Sequence, residues 1–212
     1  MKLYLSSSKI GNQEQELKKW LENSKNKKAA FIANARDMSP EGEHKTTSIQ
    51  KDADELAALG FEIIPLDLRN YFGKKEELRS FLQEIHAFYV IGGNTFVLRK
   101  AMKLSGFDEL LLEFAKSSDY LYIGYSAGIC CLCKDMTAIS IMDEPEIDPY
   151  DSGHPPIYEG IGFLENAVIP HFQSDHKETE AASRAVEFCE EKGIVYQALH
   201  DGDVILKDTL SS

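Results

Sequence analysis

The sequence predicts an α/β fold in three layers, with a mostly parallel central sheet and helices on both faces. Short apolar runs with the composition of strands alternate with segments of helical period over most of the 212 residues. This alternation is typical of stacked βαβ units around a parallel sheet. The length suffices for one hydrophobic core and does not require a second, so we expect a single domain over residues 1–212.

The first half of the chain supplies four strands and the helices between them. Strands are predicted where apolar residues run together, and helices where apolar residues recur every three or four positions. In chain order these elements are a strand at 2–6, a helix at 12–23, a strand at 29–33, a helix at 45–59, a strand at 61–66, a helix at 74–84 and a strand at 87–91.

The second half continues the pattern and then loosens. Helices at 96–104 and 107–117 precede an apolar strand that ends near residue 125, and a short strand at 167–169 follows much later. A helix near 177–191 and strands at 194–197 and 204–206 complete the prediction. Between them, residues 143–156 contain four prolines and many turn formers, which predicts a long loop.

Charge and cysteine content limit the classes of function. The 35 acidic and 23 basic residues give a formal charge of -12, which disfavours nucleic acid and anionic membranes as partners. No apolar run approaches the roughly 20 residues that span a bilayer, and the first residues are too quickly polar for a signal peptide. We therefore expect a cytoplasmic protein with reduced thiols. Cys130 and Cys133 are spaced as C-x-x-C, but no second pair completes a zinc site, so we interpret the cysteines as core residues and expect no metal.

A candidate nucleophile stands where the strand before residue 126 ends. Residues 120–128 read Tyr-Leu-Tyr-Ile-Gly-Tyr-Ser-Ala-Gly. In a strand, sharp turn and helix of the form G-x-S-x-G, the glycines permit a tight turn that exposes the serine oxygen. The same string arises by chance in polar loops, but here an apolar strand precedes it and an apolar run follows it. The context favours Ser126 as a nucleophile, with the next N–H group, that of Ala127, facing an oxyanion.

Two glycines end the strand at 87–91 and are candidates for the rest of an oxyanion hole. The carboxyl ends of neighbouring parallel strands lie together, which would place Gly92 and Gly93 beside Ser126. We expect Gly93 and Ala127 to supply the two N–H groups, with Gly92 as the second candidate for the first of them. A plain turn in which Asn94 or Thr95 caps the next helix is the structural alternative, and the two interpretations are compatible.

His171 is the best placed of six histidines to act as the base. It follows the strand end at 167–170, which would bring its imidazole to the same edge of the sheet as Ser126. His154 lies in the proline-rich loop, where it could contact substrate, and His44, His86 and His176 fit solvated or structural places; His200 is the sixth. His171, Asp175 and His176 do not by themselves make a complete metal ligand set.

A base of this kind needs a carboxylate that fixes its tautomer, and the sequence leaves that residue open. Asp143 and Glu144 begin the proline-rich loop between nucleophile and base. Asp201 and Asp203 follow a late strand and are the alternatives.

Four motifs, in this order and spacing, resemble the peptidase E family of cytosolic serine peptidases: residues 91–96, 122–128, 143–149 and 169–172. The resemblance implies a class I glutamine amidotransferase-like fold and removal of N-terminal aspartate from short peptides, chiefly dipeptides, without a cofactor. It also implies roles for particular residues. These are Ser126 as nucleophile, His171 as general base and Asp143 as third member, with Gly92, Gly93, Asn94 and Ala127 around the oxyanion and substrate; Asp201 stays in reserve for the third role.

The predicted reaction is acyl transfer through Ser126 to water. A pocket that selects aspartate needs an Arg or Lys, and the sequence does not decide between Arg36, Arg99 and other basic residues. We expect the loop at 143–156 to cover the site and restrict it to small peptides. An amidase of cyanophycinase type and a catalytically idle metabolite binder are the alternatives, and the sequence leaves open whether the chain is a homodimer.

Overall fold

A six-stranded sheet forms the centre of the computed structural model, which describes residues 1–24 and 26–211. The strands of this sheet are β1 (Lys2–Ser6), β2 (Lys28–Ile32), β3 (Glu62–Pro65), β4 (Ala87–Val90), β5 (Leu121–Tyr125) and β8 (Val204–Asp208). They lie in the order β3-β2-β4-β5-β1-β8. All neighbours are parallel except β8, which pairs antiparallel with β1. The predicted mostly parallel sheet is confirmed.

Helices cover both faces of the sheet. They are α1 (Glu14–Asn23), α2 (Glu43–Ala58), α3 (Lys75–Phe81), α4 (Thr95–Ser105), α5 (Phe107–Phe114), α6 (Ala127–Cys130) and α7 (Thr179–Lys192). Leu17 of α1 and Leu56 of α2 pack in one apolar cluster, and Leu98 of α4 and Leu110 of α5 pack in a separate one on the other face. Every residue of β4 and β5 is buried, because helices cover both faces of the sheet at these central strands. This is why both strands are runs of apolar residues without polar alternation.

A second, two-stranded sheet was not anticipated. It pairs β6 (Ala167–Ile169) with β7 (Tyr196–Ala198) in parallel, and α7 is the crossover between them. Each strand is only three residues long. A run this short predicts a strand but not the strand with which it pairs. The sequence therefore does not show that β6 and β7 form a sheet of their own.

The sheet register brings several strand ends to one edge. Gly124 of β5 lies opposite Leu5 of β1 on one side and Val90 of β4 on the other. The residues that follow β4 and β5 therefore emerge side by side at the carboxyl edge, which is where ligands bind in open α/β sheets. Among the described residues, none of the helices has the length and apolar content needed to cross a membrane.

Candidate active site

Ser126 occupies the sharp turn between β5 and α6. Its backbone has φ 49° and ψ −114°, a conformation that is strained for a residue with a side chain. Glycines are required on both sides of it. A Cβ atom at Gly124 would lie 2.7 Å from the Gly128 carbonyl oxygen, and one at Gly128 would lie 2.3 Å from the Val90 carbonyl oxygen. The geometry that the G-x-S-x-G string predicts is present.

The Gly92-Gly93 turn packs directly against the nucleophile. A Cβ atom at Gly92 would lie 2.7 Å from the Tyr125 ring and 3.0 Å from the Ser126 Cβ, and one at Gly93 would lie 2.4 Å from the Ala35 carbonyl oxygen. Within the described residues, neither the Gly93 N–H nor the Ala127 N–H donates a hydrogen bond to another protein group. Gly93 lines the cleft, so its N–H is available to a ligand there, and the Ala127 N–H directly follows the Ser126 residue that lines the same cleft.

Asn94 caps the helix α4, which is the structural alternative that the sequence allowed for it. Its side-chain oxygen accepts a hydrogen bond from the Val97 N–H at 2.9 Å and caps α4, and its amide donates to the Glu144 carbonyl oxygen at 3.0 Å. These bonds hold the turn that carries Gly93 and leave the Asn94 side chain no free polar end toward the cleft.

His171 follows β6 and is oriented by two polar contacts. Its Nδ1 lies 2.7 Å from Oδ1 of Asp201, and its backbone N–H donates to the Ser7 hydroxyl at 2.9 Å. Ser7 in turn donates to the same carboxylate oxygen at 3.0 Å. Burial lowers the pKa of the His171 imidazole, and the nearby Asp201 carboxylate opposes this shift. The arrangement leaves Nε2 to face the cleft.

Asp201, and not Asp143, is the carboxylate that contacts the His171 imidazole. Asp143 accepts a hydrogen bond from the Thr95 N–H at 2.8 Å at the start of α4, and burial raises the pKa of its carboxyl to about 6. The structure does not pair it with His171, so the assignment of Asp143 needs correction. The physical reason is the small sheet: β6 and β7 are parallel neighbours, so the residues after their carboxyl ends, His171 and Asp201, lie together.

Ser126 and His171 line the same cleft, whose volume is about 740 Å³. Among the described residues no hydrogen bond joins the Ser126 hydroxyl to the imidazole; His171 Nε2 lies 3.8 Å from Oε2 of Glu178 instead. Hydrogen bonds between nucleophile and base are often long before substrate binds. A hollow of about 860 Å³ at the amino ends of β1 and β5 is larger, but neither Ser126 nor His171 lines it.

His171, His176 and Glu178 offer three ligand atoms within 4.8 Å of one another, which raises the question of a metal ion. The two imidazoles are stacked, with centroids 3.8 Å apart and an angle of 10° between the rings. Imidazole binds metal along a lone pair in the plane of its ring. In two parallel stacked rings these directions run side by side and do not converge on one ion, so the arrangement suits stacking better than coordination.

The proline-rich loop does not cover the cleft. Tyr150 packs edge-on against Phe72 and donates its hydroxyl to Asp37 at 2.7 Å, and Lys100 donates to the His154 carbonyl oxygen at 3.0 Å. None of residues 143–156 is among those that line the cleft, whereas residues 39–45 and 176–178 border it. The expected cover and the substrate contact of His154 are therefore not found; His44, which the sequence suggested was solvated or structural, lies at the border.

The basic residues of the cleft all have acidic partners. Arg36 pairs with Asp52 at 2.6 Å, and Lys45 pairs with Glu41 at 2.7 Å. Arg99, the other arginine considered for reading aspartate, does not line the cleft.

Comparison with known proteins shows a family for the chain as a whole. The family model described as peptidase family S51 matches residues 3–209. The uncharacterized peptidase Lin0382 of Listeria innocua is 29% identical over 119 residues, which are 56% of this chain and 54% of that protein. The uncharacterized peptidase Lmo0363 of Listeria monocytogenes is 27% identical over 152 residues, 72% of this chain and 69% of that protein. Peptidase E of Streptomyces coelicolor is 29% identical over 126 residues, 57% of this chain and 48% of that protein. The matched segment thus spans about half of the first and third of these proteins.

Two solved structures share the fold. A protein of Listeria monocytogenes EGD-e assigned as a peptidase E superposes with a TM-score of 0.75 at 24% identity, with 98% of each chain covered. A peptidase from an acI-B1 Actinobacterium gives a TM-score of 0.66 at 17% identity, with 97% of this chain and 82% of that chain covered. At these identities the likeness concerns the fold alone, and it confirms the predicted α/β fold of class I glutamine amidotransferase type.

Proposed function

Because this chain belongs to peptidase family S51, we propose that it hydrolyses short peptides through an acyl-enzyme formed at Ser126. The prediction of a serine-type peptidase is confirmed at the level of the family. One observation carries the assignment to this site: an imidazole held by Asp201 lines the same cleft as a strained, glycine-flanked serine. Strain of this kind is concentrated at functional sites.

The reaction follows from this arrangement. His171 Nε2 accepts the proton of the Ser126 hydroxyl as Oγ bonds to the peptide carbonyl carbon, and the N–H groups of Gly93 and Ala127 stabilise the oxyanion. When the tetrahedral intermediate collapses, the C–N bond breaks and the imidazolium returns its proton to the leaving amine. Water, deprotonated by His171, then attacks the ester carbonyl and releases Ser126. Asp201 stabilises the imidazolium in both halves.

The state of His171 before reaction suits a general base. A base must be neutral to accept a proton, and burial lowers the pKa of this imidazole, which keeps it neutral at neutral pH. The Asp201 carboxylate directs the Nδ1 proton toward itself, so that Nε2 presents a lone pair. Substrate binding has only to bring Ser126 Oγ and Nε2 within hydrogen-bond distance.

A preference for N-terminal aspartate is the finer part of the proposal, and Lys45 supports it. This lysine lines the cleft, and its partner Glu41 has an 80% exposed carboxylate, so a substrate carboxylate can replace that partner at little expense. Arg36 is a poorer candidate, because the carboxylate that holds it, Asp52, is fully buried.

Four free, buried cysteines are compatible with the cytosolic location that we also propose.

Hydrolysis of a panel of Xaa-Leu dipeptides by the wild type and the Ser126→Ala variant tests the proposal. Asp-Leu and Asn-Leu form the decisive pair, since they differ in charge and hardly in shape. We expect Ser126-dependent cleavage, faster for Asp-Leu, and a selective loss of that difference in Lys45→Met. Full activity in Ser126→Ala would refute the mechanism. Labelling of Ser126 by a fluorophosphonate without cleavage of any dipeptide would direct the search to other amides, such as branched aspartate polymers.

A further inference from the structure

Donors from three separate segments converge on the carboxylate of Asp52. This residue lies on α2 and is fully buried. Its Oδ2 accepts hydrogen bonds from Arg36 Nη2 at 2.6 Å and from the Tyr125 hydroxyl at 2.9 Å, and its Oδ1 binds the Lys9 ammonium. A buried carboxylate needs such donors to offset the loss of its hydration. Two of the three donors, Arg36 and Tyr125, also contact the parts of the candidate active site.

Arg36 connects this carboxylate to the oxyanion turn. Its Nε donates to the Gly92 carbonyl oxygen at 3.1 Å, and its Nη1 donates to the Ser48 hydroxyl at 2.9 Å. The guanidinium is planar and rigid, so Asp52 and Ser48 fix the direction of its Nε–H. The peptide that joins Gly92 to Gly93 is also planar and trans, so its C=O and N–H point in opposite directions. Holding the Gly92 oxygen therefore sets the direction of the Gly93 N–H.

Tyr125 connects the same carboxylate to the nucleophile. It is the residue immediately before Ser126, and its ring lies so close to Gly92 that a Cβ atom there would be 2.7 Å from it. Asp52 thus holds the residue next to the nucleophile directly, and it holds the oxyanion turn through Arg36.

We propose that Asp52 and Arg36 are positioning residues that set the Gly93 N–H relative to Ser126 for the oxyanion of the transition state. This inference rests on the proposed function and adds residues that the motifs do not contain. Neither side chain takes part in bond making. The expected effect is therefore on the chemical step, not on binding of the substrate in its ground state.

The chain contains a matched control for this arginine and carboxylate. Arg99 donates through Nε to the Glu159 carbonyl oxygen at 2.9 Å and through Nη1 to the buried Asp108 at 2.9 Å, outside the cleft. The two pairs have the same chemistry and similar burial: Arg36 and Asp52 at the cleft, Arg99 and Asp108 elsewhere. A role in stability alone predicts similar consequences for both pairs.

The test compares Arg36→Lys and Asp52→Asn with Arg99→Lys and Asp108→Asn. Each variant is assayed for kcat and KM on the best dipeptide and for inhibition by the aldehyde of that dipeptide's N-terminal residue. The aldehyde adds the Ser126 O–H across its C=O and forms a hemiacetal, whose oxygen occupies the oxyanion site. We expect kcat to fall about 10- to 100-fold in the first two variants, with KM nearly unchanged and aldehyde affinity weakened by a similar factor. The two control variants keep both values.

Three outcomes overturn the proposal: unchanged kcat in Arg36→Lys, a loss that is confined to KM, or the same loss of kcat in Arg99→Lys. Circular dichroism and the melting temperature show whether each variant is folded. If Arg36→Lys does not fold, Tyr125→Phe replaces it, because it removes one donor to Asp52 and keeps the ring against Gly92. The Ser126→Ala variant separates this failure from failure of the proposed function. If the proposed function is wrong, turnover survives in Ser126→Ala. If only the positioning proposal is wrong, turnover still depends on Ser126.

Discussion

The carboxylate of Asp201 lies 2.7 Å from Nδ1 of His171, and Ser7 bonds to both residues. Thirty residues separate the two in the chain, and the parallel pairing of β6 with β7 brings them together. The contact gives the imidazole one preferred tautomer and orientation, which is the function of the carboxylate in serine hydrolases.

Replacement of the carboxylate at Asp201 tests which acid supports the base. Asp201→Asn should lower kcat by about 100- to 10,000-fold, because the amide does not stabilise the imidazolium and favours the wrong tautomer. Asp143→Asn should lower kcat by less than about tenfold, since that residue bonds to the Thr95 N–H. Steady-state kinetics of the two variants decide the matter, and a larger loss in Asp143→Asn would restore the original assignment.

The pH dependence of kcat/KM follows from the lowered pKa of His171. The base acts only when neutral, so activity should rise with pH through a midpoint below the ordinary value of 6.5. The electrostatic interaction with the stacked His176 ring lowers the pKa of His171 further, so His176→Asn should move the midpoint upward. Profiles from pH 4 to 9 measure both values. A wild-type midpoint above 6.5 would contradict the burial argument.

The strained backbone of Ser126 predicts a stability difference between two inactive variants. Glycine adopts a φ of 49° without the clash that any Cβ atom suffers, whereas alanine keeps the clash. We expect Ser126→Gly to unfold with a free energy about 1 kcal/mol higher than Ser126→Ala, after allowance for the greater chain entropy of glycine. Urea denaturation followed by circular dichroism measures the difference; equal stability would show that the turn is relaxed.

Asp143 should make the folded state less stable as pH rises. Burial raises its pKa from 3.8 to about 6, so the folded protein binds the proton more tightly than the unfolded chain does. The contribution is therefore fully present below about pH 4 and is lost as the pH passes through about 6. Asp143→Asn should gain about 1–2 kcal/mol relative to wild type between pH 4.5 and 7.5. Denaturant titrations at the two pH values give this difference, and a constant gap between the proteins would count against the shift.

The sequence predicted the parts of the site that lie at the ends of central strands. Ser126, Gly92 and Gly93 follow apolar runs whose neighbours in the sheet are easily inferred, and glycine marks the sharp turns. The partner of His171 was harder, because β6 and β7 are short and form their own sheet. No local pattern distinguishes Asp201 from the other acidic residues.

Asp52 was missed although the helix contains a signal for it. Ile49, Ala53 and Leu56 belong to the apolar side of α2 that packs on the sheet, and Asp52 lies on the same side at helical spacing. A carboxylate on the buried side of a helix must be paired with a donor. Its partners Lys9 and Arg36 are distant in the chain, so the sequence does not show that they reach it. The direction of a side-chain hydrogen bond, such as that from Arg36 to Gly92, is visible only in three dimensions.

The two-stranded sheet has a consequence for how catalysis is controlled. The proposed nucleophile follows a strand of the large sheet and the proposed base follows a strand of the small one. Among the described strands, no ladder of backbone hydrogen bonds joins the two sheets and sets the distance that the proton must cross. The Ser7 hydroxyl, just after β1, connects the two sheets through the His171 N–H and the Asp201 carboxylate, and the Cys130 thiol of α6 donates to the Val168 carbonyl oxygen of β6. The distance between Ser126 Oγ and His171 Nε2 therefore depends on how side chains pack between the two sheets, and not on the register of strands within one sheet.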